Sequence, residues 1–335
     1  MAESALAQAI ENERAETGFR VLAQALPHFG IEADAPVQLL PQSENVALRV
    51  HPAHRPPVVV RISPPGARTH EELKSEIAWI TALKRESDAP VAGVLTSDAG
   101  EAVVRVADPT TGTVLSVVVF EHVRGHEPAE DELAALMPLL GRISAQLHQH
   151  SATWARPDWF CRGRWDADAA FGDRPRWGRW QVAVPDPGQR QLLDRLERVV
   201  SGRLQRFGAD RDRFGLIHAD LRTANLLVDG ETCHLIDFDD AGFGWWLYDL
   251  ATALTFYENH PDRDELIGAW VRAYREIRDL PDEDESEIPT FLMLRRLLTL
   301  AFLGSNPGID VSRQMLAGLP EQTCELAEDY LRQFD

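Results

Sequence analysis

Residues 216–227 read LIHADLRTANLL and residues 235–239 read LIDFD, and these two motifs carry most of the information in this chain. The apolar stretches at 216–217, 226–228 and 234–236 are short and rich in Leu, Ile and Val, which indicates buried strands. The last two stretches are separated by Asp229-Gly230, a strong hairpin-turn signal. The pattern therefore predicts a hairpin with polar residues placed at its ends.

Three of those polar residues have the chemistry that phosphoryl transfer from ATP requires. Such a transfer needs a carboxylate near the attacking hydroxyl and oxygen ligands for the Mg²⁺ that neutralises the phosphates. Asp220 is suited to the first task, and Asn225 and Asp237 to the second. One amide and one carboxylate are enough for Mg²⁺, because phosphates and water complete its shell.

The spacing His218-x-Asp220-x4-Asn225, followed by Asp237-Phe238-Asp239, resembles that of a known superfamily. It is similar to the catalytic loop and metal motif of the aminoglycoside phosphotransferases, choline kinases and homoserine kinases, which are distant relatives of the eukaryotic protein kinases. The resemblance implies that Asp220 is the catalytic base and that Asn225, Asp237 and Asp239 bind metal. It also implies that His218 braces the loop.

A further match is Tyr248-Asp249-Leu250-Ala251, which is similar to the start of the helix after the metal motif. In the superfamily the Asp of this motif, here Asp249, accepts hydrogen bonds from the catalytic loop. The implied fold is α+β, bilobal and protein-kinase-like. It would have a small antiparallel-sheet lobe with one key helix at residues 1–121 and a larger, mainly helical lobe at residues 122–335.

The amino-terminal half is consistent with a nucleotide-binding lobe. Residues 45–50 and 58–62 are β-rich and predict a hairpin, and residues 69–85 have apolar side chains at helical spacing. In kinase-like enzymes a cation on the third strand holds the phosphates and is fixed by a glutamate on this helix. The sequence has only two lysines, both within the predicted helix, so Arg61 is the expected cation and Glu76 its partner. A solvated arginine on an edge strand is the alternative.

The segment before this hairpin lacks a glycine-rich G-x-G-x-x-G motif. We expect a shorter turn to cover the phosphates, with Ser43 and Asn45 as candidate ligands, although polar turn residues often have no further role. Residues 114–120 form a continuous apolar run that predicts a buried strand. By resemblance, the following Glu121 carbonyl and Val123 N–H would contact adenine.

The rest of the chain predicts helices at residues 133–150, 190–207, 262–278, 286–303 and 311–334. An irregular stretch at 154–180 interleaves tryptophan with arginine. These rings could cover an acceptor, but tryptophan more often anchors long loops to a core.

The acceptor is expected to be a small hydroxyl-bearing molecule, because only residues 240–247 separate the metal motif from Tyr248. This leaves no room for the long activation segment of a protein kinase. A bacterial serine/threonine kinase and a nucleotide-binding module without activity stay open as alternatives. The candidate acceptor residues follow the metal motif and are Asp240, Phe243, Trp245, Trp246, Tyr257 and Glu258.

Composition limits the possible partners. The net charge of −19 opposes binding to nucleic acids or anionic membranes. The three cysteines are widely spaced and without a CxxC pattern, which is typical of a reducing compartment, and no leader or membrane segment is predicted. We therefore expect a cytoplasmic protein. The motif and the resemblance imply a kinase, a monomer or homodimer, that uses ATP or GTP with Mg²⁺.

Overall fold

The chain divides into two compact units. The computed structural model describes residues 2–41, 45–230, 232–306 and 316–335. The first unit comprises Met1–Glu127, Ala155–Arg162 and Leu226–Asp239, and the second comprises Pro128–Trp154, Gly163–Asn225 and Asp240–Asp335. The first unit thus includes two segments beyond residue 121, and the expected division into residues 1–121 and 122–335 stays a prediction.

An antiparallel sheet forms the centre of the first unit. Its strands in the described residues are β1 (Val37–Leu39), β2 (Val46–Val50), β3 (Val58–Ser63), β4 (Val94–Leu95), β5 (Val104–Ala107) and β6 (Val114–Glu121). Their order is β1-β2-β3-β6-β4, and β5 pairs with another part of β6. Alternate side chains such as Leu48, Val60 and Val117 are fully buried, as expected for strands with one face on a core. The predicted hairpin at 45–62 is confirmed.

Two long helices belong to the first unit, α1 (Ala2–Ala25) and α2 (His70–Glu86). Thr69 caps α2, because its side chain accepts from the Glu72 N–H while the Glu72 carboxylate accepts from the Thr69 N–H. Leu73, Ile77 and Leu83 are buried along one face. The helix predicted from this periodicity is confirmed.

A second hairpin of the first unit follows the catalytic-loop motif. It consists of β9 (Leu226–Asp229) and β10 (Thr232–Leu235), with Leu227 opposite His234. Gly230 has a φ of 60°, which the predicted Asp-Gly turn requires. The predicted hairpin is confirmed, and it leads directly to Asp237.

The second unit is mainly helical. Its described helices are α3 (Leu133–Thr153), α4 (Ala167–Phe171), α5 (Pro187–Phe207), α6 (Trp246–Ala253), α7 (Arg263–Arg275), α8 (Asp282–Glu285), α9 (Ile288–Ser305) and α10 (Leu319–Phe334). Gly141 allows α3 and α7 to pack closely, because a Cβ there would lie 2.4 Å from the Trp270 carbonyl oxygen. A small sheet consists of β7 (Arg164–Trp165), β8 (Phe214–Ile217) and β11 (Gly242–Trp245), in the order β7-β11-β8.

The structure confirms the predicted helices at 133–150, 190–207, 262–278 and 286–303 to within a few residues. The helix predicted at 311–334 corresponds to α10 at Leu319–Phe334, and residues 311–315 lie outside the described part. The mixture of an antiparallel sheet with many helices confirms the α+β class. In the tryptophan-rich stretch, Trp165 and Trp180 are buried, whereas Trp159 is exposed.

Within the part of the chain that the structure describes, one helical stretch, Asp282–Ser305, is apolar and long enough to cross a membrane by length and composition alone. Most of this stretch is the helix predicted at residues 286–303, for which no membrane segment was expected. Its most apolar window is 78% buried inside the protein, and two of its charged side chains, Arg295 and Arg296, form internal ion pairs. These features are typical of a core helix.

Candidate active site

The catalytic-loop motif leaves β8 at Ile217 and is held by a buried carboxylate. Asp249, on α6, accepts hydrogen bonds from the N–H groups of His218 (3.1 Å) and Ala219 (2.7 Å). Ala219 has a φ of 67°, which is unusual for a residue with a side chain. The two hydrogen bonds to Asp249 therefore stabilise a strained turn just before Asp220. His218 is fully buried, and its Nδ1 accepts from the Asp220 N–H at 3.3 Å.

His148, on α3, lies behind Asp249 and was not anticipated from the sequence. Its Nε2 is 3.0 Å from Asp249 Oδ2, and its Nδ1 is 3.0 Å from the Tyr274 hydroxyl. Burial lowers the pKa of His148 and outweighs the opposing effect of Asp249. A neutral imidazole with its proton on Nε2 satisfies both neighbours, since it donates to Asp249 and accepts from Tyr274.

Two arginines hold the Asp220 carboxylate. Arg222 donates from Nε to Oδ1 (3.0 Å) and from Nη2 to Oδ2 (3.1 Å), and Arg295, on α9, donates from Nη2 to Oδ1 at 2.9 Å. Burial alone would raise the pKa of Asp220, but the charges of Arg222 and Arg295 outweigh burial and lower this pKa to about 2. Asp220 is therefore an anion at any physiological pH.

Arg295 is itself held in place by aromatic and hydroxyl groups. Its Nε donates to Thr255 Oγ1 at 2.9 Å and its Nη1 donates to the Tyr248 hydroxyl at 3.3 Å. The guanidinium carbon lies 5.2 Å from the centre of the Trp177 ring. Sequence reasoning missed Arg295, because it is 75 residues away from Asp220 along the chain and belongs to an otherwise apolar helix.

Asn225 ends the loop, and its side chain is also turned to Asp220. Its Nδ2 donates to the Asp220 carbonyl oxygen (2.8 Å) and to Asp220 Oδ2 (2.9 Å). Because the amide nitrogen is used as the donor, Oδ1 is the atom that can face a cation. This orientation fits the role expected of Asn225 as a metal ligand, which stays a prediction.

In the first unit, Arg61 and Glu76 form the predicted ion pair. Arg61 Nη1 and Nη2 lie 2.7 and 2.9 Å from the two oxygens of Glu76, and both side chains are buried. Burial acts to lower the pKa of Arg61, but the Glu76 charge outweighs it and raises this pKa. Arg61 is thus a fixed cation. Asn45 is buried at the start of β2, and Ser43 lies outside the described residues.

The metal motif of the first unit places two carboxylates next to each other. Asp237 has a φ of 61°, and its Oδ1 accepts from the Asp239 N–H at 3.4 Å. Asp239 Oδ2 pairs with Arg68 at 3.1 Å, whereas Asp239 Oδ1 is buried without a hydrogen-bond partner among the described residues. Such an orphan oxygen fits a hard divalent cation. The described residues contain no group of three or more His, Cys, Asp or Glu that could hold a metal by itself.

Glu121, at the end of β6, is bound to the segment before β4. Its N–H donates to the Gly93 carbonyl at 2.8 Å, and its side chain accepts from the Gly93 N–H at 3.2 Å. Gly93 allows this approach, because a Cβ there would lie 2.4 Å from Glu121 Oε2. The expected contacts of the Glu121 carbonyl and the Val123 N–H with adenine stay predictions.

The acceptor candidates lie in different surroundings in the second unit. Asp240 Oδ1 is 3.6 Å from Arg176, and its carbonyl accepts from Trp165 Nε1 at 2.7 Å. Trp245 is buried and donates to the Gly208 carbonyl at 2.6 Å. Glu258 is buried and pairs with Arg296 of α9 at 2.9 Å. Tyr257 is half-buried, and the centre of its ring is 6.4 Å from that of His260. Their roles in acceptor binding stay predictions.

Comparison with known proteins places the chain among kinases. The chain is 40% identical to a solved microcompartment-associated aminopropanol kinase, with a TM-score of 0.85 and coverage of 92% of this chain and 96% of that one. It is 26% identical over 315 residues to amicoumacin kinase of Bacillus subtilis (strain 168), which covers 89% of this chain and 90% of that protein.

A third similarity shows the fold alone. Amicoumacin kinase hAmiN, solved in complex with AMP-PNP, Ca²⁺ and Ami, has a TM-score of 0.71 at 22% identity and covers 86% of this chain and 88% of that one. The protein-kinase-like fold expected from the sequence is thereby confirmed. The model of the phosphotransferase enzyme family (APH) matches residues 37–286, most of the chain. The chain therefore belongs to the phosphotransferase enzyme family and is a small-molecule kinase.

Proposed function

We propose that this kinase transfers the γ-phosphoryl group of ATP, with Mg²⁺, to the hydroxyl of a small amino alcohol. The observation that carries the proposal is the ionised Asp220 carboxylate on a loop of the expected spacing. The choice of an amino alcohol is supported by the 40% identity to an aminopropanol kinase over nearly the whole of both chains.

In the proposed reaction Asp220 orients the acceptor hydroxyl by accepting its hydrogen bond. The acceptor oxygen forms a new bond to the γ-phosphorus, the bond from that phosphorus to the β–γ bridging oxygen breaks, and ADP leaves. A carboxylate with a pKa of about 2 is a weak base, so the hydroxyl proton passes to it late, as the new oxygen–phosphorus bond forms. Late proton transfer is consistent with a loose phosphoryl-transfer transition state. Asp220 therefore contributes mainly by orienting the acceptor hydroxyl.

The first unit supplies the proposed nucleotide and metal ligands. Arg61 is a buried cation whose Glu76 partner fixes its guanidinium, and we assign it to the α- and β-phosphates. Asp237 and Asp239 offer carboxylate oxygens to Mg²⁺. When bound, the cation would neutralise charge on the phosphates.

An amino alcohol also needs a partner for its ammonium group. We assign this role to Asp240, because its carboxylate is partly exposed at 23% and already lies 3.6 Å from the cation of Arg176. Arg176 lies 4.4 Å from the centre of the Trp165 ring, so this carboxylate and this ring already accommodate a cation. An ammonium group could replace the guanidinium there.

The proposal is tested by measuring ADP release with ATP or GTP, with and without Mg²⁺, against a panel of acceptors. The panel contains aminopropanol, homoserine, an aminoglycoside and a neutral propanediol as the matched control without an amine. We expect turnover to be fastest with ATP, Mg²⁺ and aminopropanol, and Asp220→Asn to lower kcat by about 10²–10⁴-fold. Equal turnover of the diol and aminopropanol would refute the amino-alcohol assignment.

The protein-kinase alternative is tested in the same reactions with labelled ATP. Label that appears on polypeptide and not on the acceptor would favour it. Nucleotide binding without ADP release, for every acceptor tried, would favour a module without activity.

A further inference from the structure

The segment Ala155–Arg162 belongs to the first unit and packs along helix α2. The Cys161 N–H donates to Ser75 Oγ at 2.9 Å, which attaches the segment to the middle of the helix. Just before Cys161 in the segment, the centre of the Trp159 ring lies 4.9 Å from Lys74 Nζ. The segment therefore brings its last residue, Arg162, to the helix at a defined position.

Arg162 connects α2 with the metal motif. Its Nη1 donates to the Glu72 carbonyl oxygen on α2 at 3.1 Å. Its Nη2 donates to the carbonyl oxygens of two consecutive residues of the motif, Phe238 at 3.3 Å and Asp239. The side chain is only 2% exposed, so each of these carbonyls would lose a buried partner if Arg162 were shortened.

The positive charge of Arg162 also lies close to the buried carboxylate of Glu76. Its Nη1 lies 4.0 Å from Glu76 Oε2, and Glu76 is the residue that fixes Arg61. Asp239 is held through its own carboxylate by Arg68. Arg162 thus joins the Arg61–Glu76 pair and the metal motif into one network of charges within the first unit.

The metal motif needs such a restraint because its backbone is strained. Asp237 adopts a φ of 61°, a conformation that costs about 1 kcal/mol or more for a residue with a side chain. Such a conformation persists where surrounding contacts hold it. Contacts that hold this loop include the two carbonyl bonds from Arg162, the Arg68–Asp239 ion pair with a bond from Arg68 Nε to the Asp239 carbonyl at 3.3 Å, and the Trp79–Phe238 ring contact at 5.5 Å.

We propose that Arg162 is a positioning residue that holds the Asp237-Phe238-Asp239 loop in its metal-binding conformation by attaching it to α2. The inference rests on the proposed function, in which Asp237 and Asp239 bind the divalent cation. Residues that orient metal ligands without touching the metal typically change metal affinity by about 10–100-fold when they are replaced. Arg162 acts on the cation and on the nucleotide bound with it, and not on the acceptor.

The test compares Arg162→Met and Arg162→Lys with the parent and with Arg174→Met, in which an exposed arginine undergoes the same replacement. Calorimetry measures the affinity for AMP-PNP with and without Mg²⁺, and ADP release measures the Mg²⁺ concentration for half-maximal activity. We expect Arg162→Met to weaken AMP-PNP binding about 10–100-fold with Mg²⁺ and less than twofold without it. Arg162→Lys keeps the charge, and we expect its affinity for AMP-PNP with Mg²⁺ to lie between those of Arg162→Met and the parent. The acceptor KM should stay within twofold.

Two results would overturn the inference. One is an equal loss of AMP-PNP affinity with and without Mg²⁺, and the other is an unchanged Mg²⁺ requirement in a variant whose Tm alone has fallen. The binding measurement needs no acceptor, so it tests Arg162 even if every acceptor fails. Should Arg162→Met not fold, Arg162→Lys provides the same comparison. A parent that binds Mg-AMP-PNP but releases no ADP would contradict the proposed function and leave the test of Arg162 intact.

Discussion

Replacing Arg295 by methionine should change the acid side of the pH–activity profile. Arg295 is one of two cations that lower the pKa of Asp220 to about 2 against the effect of burial. A neighbouring arginine lowers a carboxyl pKa by roughly 1–3 units. In Arg295→Met we therefore expect Asp220 to titrate at roughly pH 3–5, while Arg222 and Asn225 still hold it.

The same contact sets the expected loss of activity at higher pH. A hydrogen bond between charged groups contributes about 1.5–3 kcal/mol, so losing the 2.9 Å bond should lower kcat/KM about 10–100-fold at pH 8. Stability should fall as well. A folded-state pKa lowered from 3.8 to about 2 means that ionised Asp220 stabilises the fold by about 2 kcal/mol above pH 4, and that this contribution is lost as pH falls through 2.

The assay is kcat/KM for the acceptor between pH 4.5 and 9, with enzyme integrity checked at each pH by circular dichroism. Arg198→Met, which removes an exposed arginine on α5, serves as the control. As the pH falls toward 5, we expect kcat/KM of Arg295→Met to decrease further, whereas kcat/KM of the parent is retained. If Arg295→Met keeps the kcat/KM of the parent at every pH from 4.5 to 9, Arg295 contributes neither to the ionisation nor to the orientation of Asp220.

Three further predictions concern other parts of the chain. Arg61→Ala should raise KM for ATP about tenfold or more and change kcat less, because the buried cation and its Glu76 pair are assigned to the phosphates; an unchanged KM would return Arg61 to a structural role. His148→Asn should flatten the fall in the free energy of unfolding that we expect below about pH 6.5, since burial keeps this imidazole neutral only in the folded state; urea titrations at pH 5 and 7 check this. Gly125→Ala should destabilise by about 1–3 kcal/mol, because φ is 140° and the new Cβ would lie 2.8 Å from the Leu227 carbonyl carbon. Gly100→Ala, with a φ of 81° but open space around it, should cost less in the same urea titration.

The surroundings of Asp220 define its proposed role more narrowly than the motif does. The motif alone implies a base that takes a proton. In the structure two guanidinium groups and an amide donate hydrogen bonds to the Asp220 carboxylate. These bonds keep the carboxylate ionised and fix its orientation. Stabilising the anion weakens it as a base, so the same contacts favour orientation of the hydroxyl over proton removal.

The sequence by itself determined the local elements and the spacing of the polar groups. The alternating apolar residues of β2 and β3, the Thr69 cap of α2 and the Asp-Gly turn after β9 each act over a few neighbouring residues. Periodicity and turn chemistry can therefore be interpreted directly from the chain. The pairing of Arg61 with Glu76 was accessible because a family pattern names both positions.

Only the tertiary structure decided which distant side chains hold these motifs in place. Arg295 reaches Asp220, His148 reaches Asp249 and Arg162 reaches the Asp239 carbonyl across 75, 101 and 77 residues of sequence. Each lies on an element whose local pattern is explained by helix or loop formation alone. A single hydrogen bond across such a separation leaves no periodic trace in the sequence, because it depends on how whole elements pack and not on the neighbours of either residue.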